Sequence, residues 1–244
     1  MSNPIFDSFN KNRDRDLVLE GNNIMTVNGT IQLTAMMSLL VVLAASFTWS
    51  KFSLGYMDMV GILTSVGALG GFIVALIIMF ARTMFLVPAY AVLEGLFLGG
   101  VSAIFESQYP GIVMQAVAGT FAALFSMLIL YRTGMIKCTE KFRSVVVIST
   151  LSIAAIYLVD FIGHFFHMAV PLINTSSTFG ILFSVGVVAV AALNLILDFD
   201  FVEQGAKQML PKKYEWYGAF GLLVTIVWLY LEILKLLAKL NSRR

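Results

Sequence analysis

The stretch Ala191–Gly205, AALNLILDFDFVEQG, decides how this chain is read. A long apolar run ends in two carboxylates, Asp198 and Asp200, just before a charged loop. Carboxylates inside or at the end of a membrane span are costly. They usually face a protein interior or a wet cavity and mark a functional position by default. Two residues apart on a helix is about 200°, so the two acids cannot share one site. One is expected to face inward, the other to lie near the interface.

The rest of the chain fits that reading. Of its 244 residues, 59% are hydrophobic and only 12% charged, with a mean hydropathy of +0.89. Soluble domains carry roughly twice that share of charge. The composition therefore describes a polytopic, all-α membrane protein. A net charge of +2 is too small to point to nucleic acid. The single cysteine, Cys138, excludes an intrachain disulfide.

Seven apolar segments are each long enough for the roughly 20 residues that a bilayer requires. They fall near 31–49, 58–81, 84–105, 111–131, 144–168, 178–200 and 216–238. Residues 1–30 form a polar tail of mixed charge, and 31–240 form the transmembrane domain. The tail lacks the apolar core of a cleavable signal, so the run from Ile31 is expected to act as an uncleaved anchor. Lys11, Arg13, Arg15, Arg82, Arg132, Lys137, Lys141, Arg143, Lys207, Lys212 and Lys213 all fall on one side of such a topology. The loops opposite hold only Lys51, so the N-terminus is expected in the cytoplasm. Lys239, Arg243 and Arg244 at the far end of the last span run against this rule. Gly67, Gly70 and Gly71 in the second span, and Gly95, Gly99 and Gly100 in the third, read as close-packing positions.

Five acids lie in or at the edge of spans: Glu94, Asp160, Asp198, Asp200 and Glu232. Arg82 ends the second span. Glu232 lies too deep in WLYLEILKLL for an interface residue; its bland explanation is a pair with Lys235, three residues on. Glu94 has no basic residue three or four positions away, so it must be neutral, paired across helices or wet. Asp160, His164 and His167 occupy one helical face with residue types that suit zinc; an interhelical hydrogen-bond patch is the plainer alternative. No phosphate-binding loop or Ser-His-Asp pattern is present. No cofactor is expected, and enzymatic readings have only the Asp160/His164/His167 face to rest on.

Three stretches together carry a family resemblance: AYAVLEGLFLGG, ILDFDFVEQ and WLYLEILKLL, in that order. With MTVNGTIQ near the tail, the chain resembles a bacterial branch of the Bax inhibitor-1 family, also called the transmembrane Bax-inhibitor-motif or YccA-like family. The resemblance implies six helices packed around a central seventh, in the bacterial inner membrane. It also implies a pH-sensitive calcium leak, in which acids on the sixth and seventh helices share a proton and an arginine from the second latches one of them. The matching positions are Asp198, Glu232 and Arg82. The seventh-helix acid is usually Asp in that family; here it is Glu232. For the pair to meet, the sixth helix must continue two or three turns past Asp198, to about Gln208.

Two other function classes follow from the same residues. One is a regulator that binds other membrane proteins, such as a quality-control protease or a stress-signalling complex, through the tail and the loop between spans four and five. The other is a metal-dependent membrane hydrolase built on Asp160, His164 and His167. The partners expected on the leak reading are the lipid bilayer and calcium or another cation.

Overall fold

A computed structural model describes residues 23–165 and 175–243 of the chain. His167, and the side chain of His164, lie outside the described residues. Seven long helices carry the structure: α1 (Val27–Ser53), α2 (Met57–Ala81), α3 (Val87–Gln108), α4 (Ile112–Arg132), α5 (Glu140–Phe165), α6 (Thr178–Lys207) and α7 (Lys213–Asn241). All seven are long and apolar enough to cross a membrane. At about 1.5 Å per residue, α7 rises more than the apolar thickness of a bilayer, which accommodates Lys239 at its far end.

Local chemistry sets the helix ends. Thr26 is extended and its side chain accepts the N–H of Gly29 at 2.9 Å, capping α1. This starts α1 at Val27, four residues before the apolar pattern begins. Arg82 adopts the left-handed conformation (φ 55°, ψ 36°) and ends α2. A one-turn 3-10 segment, Met84–Leu86, then leads into α3, with Pro88 in its first turn where a missing N–H costs little. Between α3 and α4 the Glu106 carboxylate accepts the N–H groups of Gly111 (2.6 Å) and Val113 (3.0 Å), which caps α4. Ser177 caps α6 through Gly180.

In lipid no hydrophobic drive pulls helices together, so close backbone approach and polar contacts hold the bundle. A Cβ on Gly95 or Gly99 of α3 would run into the backbone carbonyls of Val41 or Ala45 of α1. Those two glycines let α1 and α3 touch backbone to backbone. α7 packs against α1, α3, α4 and α6. Half of its most apolar window is buried, against 11% for α5, so α7 forms the core of the bundle and α5 its rim. Among the described residues, the backbone of α5 comes close to α6 alone, and α5 reaches α7 through side chains. Leu39 and Leu43 of α1, Leu69 and Phe72 of α2, and Ile148 and Leu151 of α5 point outward, as lipid-facing side chains do.

The tail side of the bundle is tied to the turn between α6 and α7. Ile24 bridges Pro211 in antiparallel fashion. Met25 N donates to Leu210 O at 2.7 Å, and Lys212 N to Asn23 O at 2.9 Å. Below this strap Glu215, in the first turn of α7, is 3% exposed. Its Oε1 accepts both the N–H (2.9 Å) and the hydroxyl (2.8 Å) of Thr26.

Candidate functional site

Asp198 sits on the face of α6 that packs on α7. Leu195 and Val202, one turn to either side of it, are buried. Gly221 of α7 leaves room for the carboxylate: a Cβ there would lie 3.4 Å from Oδ1. Thr225, one turn further along α7, lies beside the group. Oδ2 is buried and has no hydrogen-bond partner. Buried polar atoms are nearly always paired, and an orphan calls for an explanation.

Glu232 lies deeper along α7 and is 1% exposed. Its Oε1 accepts Lys235 Nζ at 3.0 Å, and its Oε2 accepts the hydroxyl of Tyr157 from α5 at 2.8 Å. The same ammonium lies 4.8 Å from the centre of the Tyr157 ring. The structure thus gives Glu232 partners of its own and no bond between the two acids. The expected length of α6 is present, since the helix runs to Lys207. The register is what separates the acids. α6 and α7 are antiparallel arms of a hairpin that turns near Leu210, so equal rise on each arm sets Asp198 level with Gly221. From Thr225 to Glu232 is about a further 10 Å along the axis.

The expected latch is likewise not closed in this structure. Arg82 is exposed and forms no ion pair among the described residues. It lies near enough to Tyr217 of α7 to act on it electrostatically. Tyr217 is one turn before Gly221, and its hydroxyl is buried without a partner. Arg82, Tyr217 and Asp198 therefore follow one another inward from the tail side.

Asp200, two residues from Asp198, faces away from it as the helical offset requires. It is buried and accepts Arg143 from α5 at 2.9 Å, with the Tyr131 hydroxyl at 3.4 Å. Tyr131 also donates to Glu203 at 2.5 Å, and Glu203 pairs with Lys207. This network joins α4, α5 and α6 on the tail side and takes in the Cys138 thiol, 3.9 Å from Arg143. Burial, then the Asp200 carboxylate, pushes that thiol up to about 11, against the opposing pull of Arg143. Sequence reasoning missed both the Arg143–Asp200 pair and Glu215. The only signal for the first was that basic residues of the α4–α5 loop share a side with Asp200.

Glu94 is shared between α2 and α3. Its carboxylate lies beside Tyr90, one turn earlier, and packs against Gly71. Asp160 lines a cavity of about 1270 Å³ on the side away from the tail, with Phe105, Tyr109, Tyr157, Lys235 and Lys239. Among the described residues no three of His, Cys, Asp and Glu are grouped to hold a metal. The histidine half of the proposed zinc face lies outside the described residues.

The fold and the buried acids define a seven-span helical membrane protein with polar stations along its innermost helices. Over residues 3–242 the chain matches the Bax inhibitor 1 like family, and it belongs to that family. No curated relative and no solved structure matches it.

Proposed function

We propose that this protein is a passive, pH-sensitive cation leak, with calcium the ion implied by its family, and that Asp198 is its proton-responsive group. The observation that carries the reading is the buried, unpartnered Oδ2 of Asp198 against α7. A structural acid in a bundle normally accepts hydrogen bonds from its neighbours, as Glu232 and Glu215 do here. Asp198 keeps a free acceptor inside the protein, which a proton or a cation can use. Glu232, level with the cavity away from the tail, is the second acid along the path. Calcium requires several oxygen ligands, so the carboxylates would act with backbone carbonyls, waters and Thr225.

Arg82 is proposed as the latch. Arginine stays charged at any accessible pH, so only the carboxylate can switch. An ionised Asp198 attracts the guanidinium from the tail side; a protonated one does not. Acid therefore releases the latch and favours the open state. On this reading the N-terminus is cytoplasmic and the protein lies in the bacterial inner membrane.

The test is calcium flux into liposomes holding the purified chain. Asp198→Asn should change both the flux and its pH dependence. Arg82→Ala should leave flux high and less dependent on pH, with Arg82→Lys between, because lysine lacks the bidentate fork. Flux equal to that of protein-free liposomes would sink the leak and leave the regulator of other membrane proteins in front.

A further inference from the structure

We propose that Lys235 is a tethered counter-ion: its ammonium occupies the cation seat on Glu232, and a mobile cation from the cavity away from the tail must displace it. The inference rests on reading Glu232 as a residue of the cation path. An ordinary lysine three residues from a glutamate on a solvated helix stabilises it by a few tenths of a kcal/mol. This pair differs in three respects. The carboxylate is 1% exposed, so its charge has little water to answer it. Its second oxygen is taken by Tyr157 from another helix, so both oxygens already hold donors. The lysine itself is 46% exposed and lines the cavity, so its stem has space to move.

The ammonium sits between an oxygen at 3.0 Å and an aromatic face at 4.8 Å, the surroundings that a small cation would also find favourable. When it leaves, Glu232 Oε1 opens toward the cavity. The Tyr157 hydroxyl can rotate to present a lone pair, and Asp160 lines the same cavity. Lys239, the other cation on this wall, is held toward α6 by Ser184 Oγ (2.7 Å) and Gly180 O (3.3 Å). The occupant is thus a small cation. A divalent one is favoured, because it outbids a single ammonium for a carboxylate oxygen.

Terbium luminescence, excited through Tyr157, tests this on the full chain in detergent. Lys235→Gln and Lys235→Met should each bind terbium about tenfold more tightly than the unmutated chain. Adding Glu232→Gln should abolish the gain, and Lys235→Arg should restore the unmutated affinity. In the unmutated chain, acylation of the Lys235 amine, read by mass spectrometry, should rise with added calcium. No gain on removing Lys235, a gain that survives Glu232→Gln, or acylation indifferent to calcium would overturn the proposal. Unmutated protein that passes no calcium in liposomes would overturn the leak instead, and leave the terbium result as a measure of who holds Glu232.

Discussion

Glu215→Ala is the perturbation that best tests how the bundle is held together. Its carboxylate is nearly fully buried and accepts two hydrogen bonds from Thr26 at the start of α1, while itself lying in the first turn of α7. It therefore meets the positive ends of two helix dipoles. Hydrogen bonds to a charged group contribute about 1.5–3 kcal/mol each, and a stranded buried N–H costs about 1–3 kcal/mol. The two bonds share one oxygen and do not add fully, so the loss should be about 3–4 kcal/mol. For a chain of this size that is roughly 8–12 °C in the unfolding midpoint. Glu215→Gln keeps an acceptor and should lose about half as much. Thr26→Ala with Glu215→Ala should show a coupling of about 1.5–3 kcal/mol in a double-mutant cycle. The single cysteine supplies the assay: a dye that fluoresces on reaction with Cys138 reports unfolding from the α4–α5 loop, remote in sequence from the mutation. A Glu215→Ala midpoint within about 2 °C of the unmutated chain would refute the claim that this carboxylate ties α1 to the α6–α7 hairpin.

Three further outcomes follow from particular contacts. Gly99→Val should push α1 from α3 and cost about 3 kcal/mol. Gly186→Ala, where nothing lies within 4 Å, should be neutral or stabilise by up to about 1 kcal/mol; size-exclusion profiles and thermal midpoints of both variants check the contrast. Removing one partner of the Arg143–Asp200 pair should destabilise by about 2 kcal/mol, less than the figure for a fully buried pair. Removing both should cost less than the two single losses together, as a thermal double-mutant cycle would show. Because the Cys138 thiol is pushed up to about 11 and only the thiolate reacts, native labelling should rise about tenfold per pH unit from 7 to 10. A free thiol would level off near its ordinary value of about 8.5, and a plateau there would count against the network. Asp200→Asn, which removes a neighbouring negative charge, should speed labelling at fixed pH.

The bilayer made the architecture legible in the residues alone. A span needs a length of apolar chain that nothing else in a protein of this size requires, so seven such runs meant seven helices; α1 starts earlier than the apolar pattern, at the Thr26 cap, and α6 runs on past the expected end near 200 to Lys207. Helical geometry was enough to send Asp198 and Asp200 to different faces. The small residues of the third span marked the contact that Gly95 and Gly99 make with α1. Partner choice was not legible. Asp198 faces Gly221 rather than Glu232 because the turn near Leu210 sets the register of two antiparallel arms, and no local pattern encodes that turn's geometry; Glu232 meets Lys235 as their three-residue spacing allows, but nothing local points to Tyr157. Glu215 reads as an ordinary charge at the start of a helix until the strap brings Thr26 onto it. Arg143 reads as a topology signal until α5 leans on α6 and delivers it to Asp200. Spans follow from hydropathy summed along the chain, whereas the fate of each buried charge depends on which atoms of other helices arrive within about 3 Å, and only the tertiary packing decides that.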